Sequence, residues 1–278
     1  MSRELEAAMW DPGQYRLFAD ERSRPFTDML ARVRADAPRL VVDLGCGPGD
    51  LTATLARRWP EAEIRGVDSS AEMISDAQAL LVPHPANDPG PQVPGGARAR
   101  LSFALADVRE WQPDRRADVI VSNAVLQWIP DHLDVLTRWA GFLATSGWLA
   151  IQVPGNFDQP SHAIMRELAS SRAWRPLLTN VQLNRQAAEP AEYLDVLARA
   201  GCEVDAWETT YLHVLRGTDP VLDWYRGTGL RPVLAALPPG PAAEFAAEYG
   251  ARLRGAYPAA PYGTVLPFRR VFAVAVRR

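Results

Sequence analysis

The 278-residue chain is short of the residues that several functions require. It has two cysteines, Cys46 and Cys202. They fall at no metal-ligand spacing and are too few for a disulfide framework, so a reduced, cytoplasmic setting is expected. It has no excess of positive charge: 30 Lys and Arg against 33 Asp and Glu give a formal net charge of −3. No broad basic field is left to hold a nucleic-acid backbone, and no nucleic-acid partner is expected. No apolar run is long enough to span a bilayer. The opening residues, MSRELEAAMW, are of mixed charge and lack the apolar stretch of a signal peptide, so no membrane partner is expected either. The four histidines (His84, His132, His162 and His213) form no cluster, which leaves neither a metal site nor a histidine-based catalytic group in view. There is no internal repeat.

What is present is an ordinary globular composition, 47% hydrophobic and 23% charged, with length enough for a sizeable core. Short β-branched or apolar runs read as strands at 39–45, 63–68, 100–107, 117–123 and 147–154. Between them, apolar residues recur at helical spacing over 51–59, 71–82 and 131–143. Strand alternating with helix implies a doubly wound, mostly parallel α/β sheet with helices on both faces. Further helices are expected at 161–171 and 190–200, and late strands at 202–215 and 265–278. The stretch 218–257 combines helical patches with many prolines, and 83–97 reads as a Pro- and Gly-rich surface loop. The organisation expected is a single domain. It comprises an N-terminal arm over 1–30, a core over about 31–154, 190–215 and 265–278, and a helical cap from insertions at about 155–189 and 218–257.

The most informative stretch is VVDLGCGPGD, where the first strand ends in Asp43 and then in Gly45, Gly47 and Gly49. One glycine suffices for a turn; three at alternate positions suggest that something approaches the backbone closely. A dinucleotide fingerprint needs glycine or alanine five positions after the first glycine, and Asp50 stands there instead. Asp43 would repel a pyrophosphate but suits a cationic ligand. Its carboxylate can also simply cap the turn.

The D-x-G-x-G-x-G run resembles the glycine-rich motif of class I S-adenosylmethionine-dependent methyltransferases, and other landmarks recur in order over residues 40–154. The second strand ends in Asp68, about 20 residues on, where an acid accepts both ribose hydroxyls. The third ends in ALADVREW and the fourth in SNAVLQWIPD. The resemblance implies a Rossmann-like fold and S-adenosyl-L-methionine as cofactor, with S-adenosyl-L-homocysteine as product. It places Asp43, Gly45, Gly47, Gly49, Asp68, Ser69, Met73, Asp107, Val108 and Asn123 around that cofactor. Ser69 is open to a second reading: Ser69 and Glu72 form an S-x-x-E capping box that merely starts a helix. Asp107 can equally be a solvated acid at a strand end, and Trp128 can be core.

Further runs (WDPGQYRLFADERSRP, SNAVLQWIPDH, GCEVDAWETTYLH and TGLRP) resemble the branch of that family that esterifies one carboxylate of a small tricarboxylic acid. Such an acceptor is ionised at pH 7, so no general base is needed and no catalytic residue is expected beyond positioning groups. A small polycarboxylate calls for cationic clamps, and arginine's planar fork binds a carboxylate bidentately. The substrate-binding candidates are Tyr15, Arg24, Gln127, Trp128, Arg231 and Arg269. Arg22, Arg185 and Arg270 are further clamps to consider, and Tyr15 with Phe18 is a flap over the cofactor. The expected state is a monomer or weak oligomer. The alternatives are a methyltransferase acting on a malonyl-thioester carboxylate or a phenol, a nicotinamide-dependent oxidoreductase, and a non-catalytic nucleoside-binding module.

Overall fold

A computed structural model of the chain describes residues 19–82, 100–183 and 187–278, with side chains from residue 23 onward. Tyr15, Phe18, His84, Arg185, the side chain of Arg22 and the loop at 83–97 lie outside the described residues.

Helix α1 (Ala19–Leu30) precedes β1 (Leu40–Leu44), whose five residues are all buried. Then follow α2 (Asp50–Arg58), β2 (Glu63–Asp68), α3 (Ala71–Ala79), β3 (Leu101–Leu105) and β4 (Ala117–Asn123). A 3-10 turn (Leu126–Trp128), α4 (His132–Gly141) and β5 (Leu143–Pro154) complete the first stretch. The sheet order is β3-β2-β1-β4-β5-β8-β6, where β6 is Cys202–Leu215 and β8 is Gly263–Arg277, with the short β7 (Ala259–Ala260) antiparallel to β8. Strands β1 to β5 pair in parallel, in register through Asp43↔Gly66 and Asp43↔Val121. Order reverses between β1 and β4, and in open α/β sheets a ligand binds beyond the carboxyl ends of the strands at that reversal. The mostly parallel, doubly wound fold read from the strand and helix alternation is the one observed. Among the described residues no helix is long and apolar enough to cross a membrane.

The element ends differ from the sequence reading for local reasons. Helix α3 stops at Ala79, because the amides of Leu80, Leu81 and Val82 turn to carbonyls three residues back, a 3-10 tightening of the last turn. Strand β5 starts at Leu143, four residues before 147. Leu143 pairs with Ala117, but Trp148 already pairs with Val119, so β5 bulges between them. The bulge puts Ser146 at φ 61, and a Cβ on Gly147 would meet the carbonyl oxygens of Ala144 and Ala117 at 2.9 and 3.0 Å.

The chain divides into two compact units. One comprises Arg22–Val153, Ala188–Glu208 and Val271–Arg278. Its core is the sheet with the helices on its faces, and Leu40, Leu44, Leu55 and Trp139 are among its fully buried side chains. It includes α6 (Pro190–Arg199), tied to α4 where Tyr193 Oη meets His132 Nε2 at 3.1 Å. The other unit lies within Pro154–Ala187 and Thr209–Arg270. It holds α5 (Pro160–Ser170), α7 (Pro220–Arg226), α8 (Arg231–Ala236) and α9 (Pro239–Ala256). Each of these helices carries proline in its first turn, where no amide partner is lost. This explains how a proline-rich stretch still folds as helix. Trp224, Tyr225, Phe245, Tyr249 and Phe268 pack its core.

Trp139 of α4 is 1% exposed, and its indole Nε1 donates to Val108 O at 3.2 Å. Trp139→Ala is expected to cost about 3–5 kcal/mol, from lost burial plus the cavity left behind. A urea midpoint equal to that of the wild type would show the indole to be dispensable.

Candidate functional site

All three motif glycines have left-handed backbones, at φ 83, 55 and 85 for Gly45, Gly47 and Gly49, but for different reasons. The amides of Gly45 and Cys46 both donate to Val67 O, at 2.7 and 3.0 Å, which fixes the loop to the end of β2. A Cβ on Gly45 would meet Val125 Cγ2 at 2.0 Å, so the turn after β4 packs directly against the loop. Gly49 caps α2, and a Cβ there would meet Phe103 and Ala77 below 3 Å. Among the described residues nothing lies within 4 Å of the missing Cβ of Gly47. Of the three, Gly45 and Gly49 therefore serve packing, and Gly47 leaves its backbone bare of described neighbours.

Two carboxylates lie under this loop. Asp43 is 3% exposed and accepts from Thr52 Oγ1 at 2.7 Å, so its carboxylate braces the first turn of α2 and does not cap the glycine turn. Burial, only partly offset by Thr52 and reinforced by the charge of Asp68, pushes Asp43 up to about 7. Asp68 accepts from Gly47 N at 3.0 Å through Oδ2 and from Ser70 N at 2.9 Å through Oδ1. Burial raises its pKa, and these backbone donors oppose the rise. The helix cap proves to be Ser70, whose Oγ accepts from Met73 N at 3.3 Å. Ser69 is exposed, so the capping box read at Ser69 and Glu72 does not form. Met73 is buried in the face of α3.

Beyond β3, Asp107 is gripped by Arg109. Nε lies 3.0 Å from both carboxylate oxygens, and Nη2 lies 2.5 Å from Oδ2. Val108 is buried and holds Trp139 through its carbonyl. Beyond β4, Ala124 takes φ 58, a left-handed conformation costly for a residue with a Cβ. Its carbonyl accepts from Gln127 Nε2 at 2.6 Å, and its amide donates to Gln152 O at 2.8 Å. On this strained turn Asn123 Oδ1 and Gln127 Oε1 are buried acceptors with no partner among the described residues. Strain and unsatisfied polar atoms together mark a place built for something other than stability. Trp128 is half-buried at the end of the same turn.

The structure thus gathers Asp43, the three glycines, Asp68, Ser69 and Met73 through one set of hydrogen bonds and packs the 123–128 turn against them. The expected arginines fall in both units. In the sheet unit Arg24 is exposed, with Nε 4.0 Å from Asp28 Oδ2. In the other unit, Arg231 opens α8, and Arg269 reaches Gly155 O at 3.4 Å. Arg270 is the buried one of these, 5% exposed, with its guanidinium 4.2 Å from the Phe268 ring centroid. Thr52, Arg109 and Ser70 were missed from sequence. A polar residue on the buried face of α2 was the signal for Thr52, and a basic residue two positions after an acid was the signal for Arg109. The described histidines serve packing: His132 lies between Ile129 O and Tyr193, and His213 stacks on Trp224. Among the described residues no group of His, Cys, Asp or Glu could hold a metal ion.

In the unfolded chain Asp43 ionises near the ordinary 3.8; folded, it keeps its proton to about 7. The stability this retained proton confers is complete below about pH 4 and is lost as pH rises toward 7. Asp43→Asn cannot ionise and can still accept from Thr52. Its stability relative to the wild type should therefore increase from pH 4 to 7 and then level off. Urea titrations at several pH values check this, and parallel stability curves for the two proteins would contradict it.

The methyltransferase domain family matches residues 15–206. The chain is 54% identical over 270 residues to the trans-aconitate 2-methyltransferase of Streptomyces avermitilis, covering 96% of each chain. It is also 54% identical over 275 residues to the trans-aconitate 2-methyltransferase of Streptomyces coelicolor, covering 97% of this chain and 87% of that one. Among solved structures, it resembles the phosphoethanolamine N-methyltransferase 2 of Haemonchus contortus, determined with phosphomonomethylethanolamine and S-adenosylhomocysteine. There the TM-score is 0.52 at 16% identity, over 91% of this chain and 52% of that one, a likeness of fold alone. With its switch-point glycine loop and full-length likeness to these enzymes, the chain belongs to the trans-aconitate 2-methyltransferase family of methyltransferases.

Proposed function

We propose that the protein transfers a methyl group from S-adenosyl-L-methionine to one carboxylate of trans-aconitate, giving a monomethyl ester. The observation that carries this reading is that the 54% identity runs over 96% of the chain, too long a span to leave out either compact unit. A likeness confined to the sheet would support the cofactor only.

The residues present fit that cofactor. Gly47 leaves space where a side chain would stand, the Asp68 carboxylate brings negative charge to the loop, and Asn123 and Gln127 offer acceptors with no partner among the described residues. When bound, the cofactor supplies a methyl group already activated by its sulfonium. Asp68 would hold the ribose: each carboxylate oxygen has two lone pairs, so its bonds to Gly47 and Ser70 leave acceptor capacity. Asp107, kept in place by Arg109, would meet the adenine amino group. Ser69, Met73 and Val108 would line the same pocket. Asn123, Gln127 and Trp128 would line the reacting end, where an indole face attracts a cation. Tyr15, Arg24, Arg231 and Arg269 remain candidates for the acceptor.

The acceptor carboxylate is already an anion at neutral pH, so the chain need move no proton. Its contribution is to hold and aim the acceptor oxygen and to keep water away. We further propose that the core and cap organisation read from sequence divides these tasks, and that the enzyme works in the cytoplasm as a monomer or weak oligomer.

Methyl transfer from radiolabelled cofactor to trans-aconitate, with citrate, isocitrate and a phenol as controls, tests the reading. A methyl ester releases volatile methanol in base, and such counts are expected with trans-aconitate well above the controls. Tight S-adenosylhomocysteine binding without transfer would leave the cofactor and remove the substrate. Gly47→Ala is expected to fold at a cost of about 1–2 kcal/mol for a left-handed alanine, yet to lose S-adenosylhomocysteine binding. Calorimetric affinity equal to that of the wild type would refute the close approach at Gly47.

A further inference from the structure

The unit within Pro154–Ala187 and Thr209–Arg270 encloses a group of polar side chains amid its aromatic core. Asn156, Ser161 and Tyr225 are each no more than 1% exposed. The Tyr225 hydroxyl accepts from Asn156 Nδ2 at 3.0 Å and shares a hydrogen bond of 2.7 Å with Ser161 Oγ. Ser161 N, in the first turn of α5, donates to Tyr257 Oη at 3.1 Å, and Tyr249 Oη donates to Ser161 O at 3.0 Å. The charge of buried Arg270 is felt at the Tyr225 hydroxyl. Burial outweighs it and keeps Tyr225 protonated, as it does Tyr249. Asn156, Ser161, Tyr225 and Tyr249 are thus neutral, and the permanent positive charge of Arg270 is held nearby, since Gly155 N, next to Asn156 in the chain, donates at 2.9 Å to the carbonyl of Arg269, next to Arg270.

Stability alone does not call for this arrangement, since apolar residues of similar volume generally do as well as buried charge. Asn156 carries a second sign of purpose: its Oδ1 is buried with no partner among the described residues. The amide can also turn over without loss to Tyr225, whose hydroxyl donates as readily as it accepts. Nδ2 then points where Oδ1 stood, as a buried donor in want of an acceptor. A donor amide in the same interior as a guanidinium matches the oxygens of a carboxylate.

We propose that Asn156 and Arg270 bind a carboxylate of the acceptor that is not methylated, and so select polyanionic acceptors over smaller acids. This rests on the trans-aconitate reading above. Tyr225 and Ser161 act as positioning residues that hold the Asn156 amide. Arg270 and its chain neighbour Arg269, both on β8, were each clamps considered from sequence.

The test is Asn156→Asp in the full-length protein, a change of equal size that puts an anion in place of the donor. Thermal melting and the Kd for S-adenosylhomocysteine should stay at wild-type values. The KM for trans-aconitate, and its Kd measured calorimetrically, should rise about tenfold or more, as when a buried donor to a carboxylate becomes a like charge. Unchanged trans-aconitate affinity in Asn156→Asp, where the wild-type enzyme does form the ester, would overturn the inference and leave the function standing. A wild-type enzyme that binds S-adenosylhomocysteine but esterifies no tricarboxylate would remove both. Should Asn156→Asp fail to fold, Asn156→Ala and Arg270→Lys read the same two constants, and retained trans-aconitate affinity in both would again overturn it.

Discussion

The site depends on the carboxylate of Asp68. One oxygen takes the amide of Gly47 and the other that of Ser70, so a single side chain joins the glycine loop to the start of α3. Val67, its neighbour on β2, does the complementary work by accepting two loop amides through its carbonyl. Burying a carboxylate is costly, and backbone donors offset the cost here because they satisfy its charge locally. The loop is thereby shaped before any ligand arrives. A preformed cradle spares the ordering entropy that a floppy one would lose on binding.

The two units differ in electrostatic character. The sheet unit buries acid next to open backbone at Asp43, Asp68 and Gly47. The aromatic unit buries the cation Arg270 over the Phe268 ring. These are the two signs that a sulfonium donor and a polycarboxylate acceptor require. An acceptor that arrives ionised asks no general base of either unit.

Much of this was legible in the sequence where the signal is local. The ranges 63–68, 117–123 and 202–215 are the observed strands, because β-branched runs ended by turn residues admit few other structures. The glycine spacing was legible because only glycine takes successive left-handed turns without penalty. Choices made by a distant partner were hidden. Ser69 and Ser70 are equally good caps by composition, and the Asp68 bond to Ser70 N decides between them. In Arg269 and Arg270, alternation on a strand turns one side chain inward, but periodicity does not say which. By composition Asn156 is one more polar residue, and only its burial beside Tyr225 sets it apart.

Strand β6 closes the sheet at one edge, and its two halves are unequally guarded. Glu203, Asp205 and Glu208 lie along the first half, with Asp205 paired to Arg32 and Glu203 to Arg278. From Thr209 to Leu215 the strand has no aspartate, glutamate, lysine or arginine, and Leu212 and Val214 stand exposed. An edge recruits another chain through its spare backbone groups, and charge is what discourages such recruitment. Among the described residues these seven are the stretch of the edge least protected by charge, so association between chains would begin there sooner than the modest net charge suggests, and a lysine in place of Leu212 would discourage it.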